Sequence, residues 1–192
     1  MSVPSLLLAS GSPRRAALLT ELGFTFRVVT PLVEEVRIPG EDPAGMVVRL
    51  AVAKVAAFVG ADVVVLGVDT AVVLDEETIG KPRDKADAIE ILLRLGGRKH
   101  VVMSGWAIVA REHEESGVEQ SIVELRALTG AEAASYAAGG EPMDKAGAYA
   151  IQGEGRRFVK GFEGSFSNVM GLPMEAVVPA LARAGITPSM QK

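Results

Sequence analysis

The chain has 192 residues, 48% of them hydrophobic, a formal net charge of −4 and no cysteine. That length buries a sizeable core in one domain or two small lobes, and the acidic balance argues against a broad nucleic-acid-binding surface. Without cysteine there is no disulfide framework and no thiolate zinc site. With no secretory leader pattern and no apolar run near about 18 residues, a soluble, cytoplasmic protein with no membrane partner is expected.

Residues 6–15, LLLASGSPRR, read as a buried strand, a tight turn and a helix start. Ser12 suits the N-cap, Pro13 the first helical position and Gly23 a left-handed close. The turn would aim backbone N–H groups, the hydroxyls of Ser10 and Ser12, and the guanidinium groups of Arg14 and Arg15 at one point. That suits phosphate. Two arginines in a first turn oppose the helix dipole unless an anion compensates; the plainer reading is that they are solvated and the serines only cap.

Residues 24–30 read as a strand, followed by a polar loop carrying Glu34 and Glu35. Asp42 and Pro43 open a helix to Phe58, with Met46, Val47, Leu50, Ala51 and Val55 at helical spacing. On pattern alone Lys54 faces solvent, although a lysine facing a cleft would look the same. After the break at Gly60, Ala61 and Asp62, residues 63–74, VVVLGVDTAVVL, predict a central strand buried on both faces. Asp69 and Thr70 interrupt it. A carboxylate in such a run needs a partner, a hydrogen bond or a polar cleft.

GKPRD at 80–84 is a loop, and residues 85–95 a helix with Ile89, Leu92 and Leu93 inward, stopped by Gly96 and Gly97. Strands at 101–110 and 118–128 predict a hairpin across a charged turn at 112–117. Thr129 and Glu132 have capping-box spacing for a helix to Ala138. Residues 139–155 are glycine-dense and polar yet carry Tyr149 and Ile151. A short strand at 158–162 and a small-residue turn at 164–173 lead to a last helix with Val177, Val178 and Leu181 inward, where Pro179 predicts a kink or a late start. His100 and His113 read as surface or strand-end residues, and Trp106 as a core or rim aromatic.

The polar segments supply Arg14, Arg15, Lys81 and Lys145, with Lys54 a further cation, and Asp69, Asp84, Glu141 and Asp144, with Glu35 nearby. Cations and carboxylates gathered in one cleft suit a nucleotide with magnesium. The motifs ASGSPRR (9–15), GVDT (67–70), GKP (80–82), DKAGAYAIQG (144–153) and GSFSNVMGLP (164–173) resemble, in order, those of the Maf family of nucleoside triphosphate pyrophosphatases. The likeness spans nearly the whole chain. It departs at Ala150, where the family has glycine, and at Val68, where it has alanine.

The resemblance implies one domain over residues 1–192, an α/β fold with a central mixed twisted sheet flanked by helices, and two lobes around a deep cleft, as in inosine-triphosphatase-like proteins. It implies hydrolysis between the α and β phosphates with a divalent cation, Mg2+ or Mn2+. Carried over by motif, Asp69 is the catalytic base and, with Glu35, a metal ligand, while Ser10, Arg15, Lys54, Lys81 and Lys145 grip the triphosphate. Arg14, Thr70 and Gln152 match the branch acting on dTTP, UTP and 5-methyl-UTP; a glutamine amide both donates and accepts, as reading a pyrimidine edge requires. A homodimer is implied too. The rival reading is a non-catalytic nucleotide-binding regulator of septum formation.

Overall fold

The computed structural model describes residues 5–58 and 63–189, so the expected break at Gly60, Ala61 and Asp62 lies outside the described residues. Seven strands form one mixed sheet, hydrogen-bonded in the order β2-β1-β3-β5-β6-β7 with β4 on β3. They are β1 (Ser5–Ala9), β2 (Phe26–Val29), β3 (Val63–Leu74), β4 (Glu77–Ile79), β5 (Lys99–Ala110), β6 (His113–Leu125) and β7 (Val159–Glu163). The helices are α1 (Pro13–Glu21), α2 (Pro43–Ala56), α3 (Lys85–Leu95), α4 (Gly130–Ala138), α5 (Phe166–Val169) and α6 (Met174–Arg183). The chain divides into two compact units, one from the described residues of 1–69, 104–119 and 171–192, the other from 70–103 and 120–170.

In the first unit β1 runs parallel to both β2 and β3, with Ala9 beside Val29 and Gly67. Its side chains alternate between two cores, as the two-residue period of a strand requires. Leu6 and Leu8 pack with Leu19 of α1 and with Val177 and Leu181 of α6. Leu7 and Ala9 pack with Ala51 and Val55 of α2. Burying each leucine contributes about 1.5–3 kcal/mol, so the continuous apolar run of β1 is what a strand covered on both faces needs. Helix α1 closes as expected: Gly23 takes φ +79, and the amides of Gly23 and Phe24 bond back to the carbonyls of Thr20 and Leu19.

The second unit is built on the remainder of β3, a tight turn through Asp75 and Glu76, and the short antiparallel strand β4. Both turn residues have positive φ, the geometry of a two-residue hairpin whose twist matches its strands. Helix α3 has the predicted bounds but a shifted inner face. Ala88, Ile91, Leu92 and Leu95 are buried, one stripe at helical spacing, whereas Leu93 is turned off it and is 42% exposed. The capping box of Thr129 and Glu132 forms as expected.

Two other expectations change. The charged stretch from His113 to Gly117 is strand rather than turn: β6 starts at His113 and alternates inward and outward, leaving only residues 111–112 between it and β5. Pro179 does not delay α6, which runs continuously from Met174. Trp106 is a core residue, while His100, second in β5, is buried rather than on the surface. Among the described residues no helix is long and apolar enough to cross a membrane.

Candidate active site

In the first unit the order β2-β1-β3 puts β1 between two parallel neighbours reached through α1 and α2. The carboxyl ends of β1 and β3 therefore flank a topological switch point, the place where open α/β sheets bind ligands. The residues that follow Ala9 on β1 and Gly67 on β3 are Ser10 and Arg15 on one side, Val68 and Asp69 on the other.

Ser10 Oγ accepts from the amide of Ser12 at 3.2 Å and from Arg15 Nη1 at 2.8 Å. Arg15 also donates from Nη1 to the Val68 carbonyl and from Nε to the Gly171 carbonyl, each at 2.8 Å. The guanidinium is thus turned inward, tying the turn after β1 to β3 immediately before Asp69. Burial pulls Arg15 down to about 10, so it stays charged at neutral pH. Ser12 occupies the N-cap by position alone, making no side-chain cap bond, and Arg14 is half-buried beside it.

Lys54 overturns the solvent-facing expectation. Its Nζ donates to Asp69 Oδ1 at 2.5 Å and to Glu35 Oε1 at 2.8 Å, and only 7% of the residue is exposed. The reason is position: Val47, Leu50, Ala51, Lys54 and Val55 form the inner face of α2. Gly67 allows that approach, since a Cβ there would lie 2.5 Å from the Ala51 carbonyl oxygen and 2.7 Å from Val55 Cγ1. Gly67 and Asp69 share a face of β3, so the helix that covers the glycine delivers Lys54 to the carboxylate.

Burial pushes Asp69 above the ordinary Asp value of 3.8, against the opposing pull of the Lys54 ammonium; nearby Glu35 pushes the same way as burial and Arg15 opposes it. A carboxylate shifted upward yet held ionised by a lysine is a better proton acceptor than a solvated one. Among the described residues no group of three or more His, Asp or Glu is gathered for a protein-only metal cage. Asp69 and Glu35 nevertheless reach one common cation, the Lys54 ammonium. Two carboxylates leave the other positions of a hard divalent ion to water and phosphate oxygens, the donor set that Mg2+ favours.

In the second unit Thr70 follows Asp69 on β3 and is half-buried. The amide of Gly147 donates to the Gly80 carbonyl at 3.1 Å, so the loop carrying Lys145 and Gln152 is bonded to the loop carrying Lys81. Lys81 and Gln152 are exposed, and Lys145 Nζ donates to the Glu141 carbonyl at 2.6 Å and to Asp144 Oδ1 at 2.5 Å. Tyr149 is buried below the same loop with its hydroxyl 2.7 Å from His100 Nε2. In the DKAGAYAIQG motif the non-glycine residue with positive φ is Ala148, at 57°, and Ala150 in place of glycine carries no such demand. The sequence pointed to the lysines and the glutamine but not to His100, nor to the way Tyr136 and Glu141 hold the loop.

The Maf-like protein family model matches residues 5–184. Similar curated proteins include the dTTP/UTP pyrophosphatase of Vibrio cholerae, 48% identical over 91% of this chain and 95% of its own. The dTTP/UTP pyrophosphatase of Myxococcus xanthus is 48% identical over 94% of this chain and 93% of its own. That of Desulfotalea psychrophila is 43% identical over 92% of each. With the expected motifs in place along one chain and matches of this extent, the protein belongs to the Maf family.

Proposed function

We propose that this protein is a nucleoside triphosphate pyrophosphatase that hydrolyses dTTP and UTP, and modified pyrimidine relatives such as 5-methyl-UTP, to the monophosphate and pyrophosphate. The observation that carries the reading is Lys54 held between Asp69 and Glu35 at the switch point. The names of the relatives supply the substrate class.

Asp69 takes the proton of the attacking water; the water oxygen bonds to phosphorus as the bridging P–O bond breaks and pyrophosphate leaves. Lys54 keeps Asp69 ionised and next to Glu35. Asp69 and Glu35 would hold Mg2+ or Mn2+, which when bound lowers the pKa of its water and draws charge off the phosphate oxygens. Ser10 and Arg15 set the turn after β1 so that its backbone and Arg14 meet the triphosphate, and Lys81 and Lys145 neutralise its charge. Thr70 and Gln152 select the base, the amide of Gln152 offering a donor and an acceptor to the pyrimidine edge. Residence in the cytoplasm belongs to the same reading, and assembly as a homodimer rests on the family resemblance.

Assaying the common nucleoside triphosphates and 7-methyl-GTP with Mg2+ or Mn2+, and with chelator, tests it. The reading requires dTTP and UTP to turn over fastest and chelation to stop the reaction. Faster turnover of CTP or 7-methyl-GTP contradicts the substrate; tight dTTP binding without hydrolysis favours a regulator.

A further inference from the structure

The loop 141–155 carries two of the substrate residues, Lys145 and Gln152, yet it contains no strand and only 3-10 turns, Glu141–Asp144, Ala146–Ala148 and Glu154–Phe158. A loop so poor in regular structure needs another source of fixed geometry if it is to recognise a small ligand. Its two ends meet at one side chain. Glu141 Oε1 accepts from the Glu154 amide at 3.2 Å, and Oε2 from the Gly155 amide at 3.0 Å. Its backbone carbonyl accepts from Lys145 Nζ at 2.6 Å.

Tyr136 extends the tie. Its hydroxyl accepts from the Ala150 amide at 3.2 Å and is hydrogen-bonded to the Glu141 carboxylate. Partial burial alone would raise Glu141; the Tyr136 hydroxyl and the two amides override it and hold the carboxyl below its usual range. Gly153, next to Gln152, is fitted to the same contact: a Cβ there would lie within van der Waals overlap of Glu141 Oε1, and φ is +85. Glu141 therefore holds the chain after Gln152 directly and the chain before it through the Tyr136 hydroxyl, while its own carbonyl holds the lysine.

We propose that Glu141 is a positioning residue for substrate recognition: its carboxylate closes the loop 141–155 so that Lys145 and Gln152 are presented at a fixed spacing to the phosphates and the pyrimidine. The proposal rests on the reading of Lys145 and Gln152 given under Proposed function. Glu141 itself meets no nucleotide; it acts through the backbone of the residues that do.

The test pairs two measurements on the full chain and on Glu141→Ala and Glu141→Gln. The first is amide hydrogen exchange of residues 150–155 without nucleotide. The second is steady-state kinetics with dTTP, UTP and CTP. In Glu141→Ala the amides of Glu154 and Gly155 lose protection, the KM for dTTP and UTP rises about tenfold or more, the preference over CTP shrinks, and kcat changes much less. Glu141→Gln, which keeps one acceptor oxygen in the same place, falls between wild type and Glu141→Ala, and it carries the test alone if Glu141→Ala does not fold. Unchanged protection overturns the proposal, as does lost protection with unchanged KM and selectivity. If the wild type hydrolyses no triphosphate, the functional reading fails and takes this proposal with it; an active wild type with insensitive variants overturns this proposal alone.

Discussion

Lys54 and Asp69, fifteen positions apart in the chain, meet with Nζ and Oδ1 2.5 Å apart, and each residue is only 7% exposed. A buried ion pair is weak evidence for stability, because desolvation of both charges offsets most of their attraction. Its value here is a carboxylate in a largely apolar strand, kept ionised and aimed.

Lys54→Met removes the cation that lowers the pKa of Asp69 and leaves burial and Glu35, which raise it, in force. Hydrolysis needs the ionised carboxylate, so activity is lost as pH falls through that pKa. The acid limb of the kcat profile is expected at higher pH in Lys54→Met than in the wild type. Leaving Asp69 buried without its partner also costs about 3–5 kcal/mol in denaturant unfolding. An acid limb that stays put or moves down in the variant contradicts the role given to Lys54.

Gly67→Ala places a methyl 2.5 Å from the Ala51 carbonyl oxygen, which is backbone and cannot swing aside. Helix α2 must shift away from β3, and Lys54 with it. A stability loss of about 1–3 kcal/mol is expected from overpacking. A larger fall in kcat than in substrate affinity should accompany it; unaltered unfolding and kinetics would mean that the close approach of α2 is unimportant.

His100 is 2% exposed, and burial pulls it down to about 4 from an ordinary 6.5. The unfolded chain therefore binds a proton that the folded chain refuses between those two values, so stability is lost as pH falls from 6.5 toward 4. The group's share is about 3 kcal/mol. Urea unfolding at pH 7 and pH 4.5 should show a smaller pH difference for His100→Asn than for the wild type. Equal differences would contradict a neutral, buried His100.

Much of the architecture was legible because local patterns agreed with the tertiary fold. The continuous apolar run of 63–74 is β3, 85–95 is α3, and Thr129 with Glu132 starts α4. The misreadings come from residues whose environment is set by distant chain. On pattern alone Lys54 reads as solvent-facing or cleft-facing alike, although its spacing from Val47 and Ala51 puts it on the buried stripe of α2. The need for a partner to Asp69 was visible; which residue answers it was not, since Gly67 admits α2 only once the strand and helix are packed. The bonds of Arg15 to the Val68 and Gly171 carbonyls were not legible either, since they join segments that no local pattern connects. Glu141 was visible only as one carboxylate in a polar loop, because its partners Glu154 and Gly155 lie more than ten residues on.

The most direct test of the central claim, that Asp69 is the proton acceptor of a pyrophosphatase reaction, compares Asp69→Asn with the wild type in dTTP hydrolysis and dTTP binding under the same metal conditions. Asparagine keeps the shape and can still accept a bond from Lys54, so the fold and the affinity should persist. Turnover should fall by about 10²- to 10⁴-fold, the usual contribution of general base catalysis. An Asp69→Asn protein that hydrolyses dTTP at the wild-type rate would contradict the account.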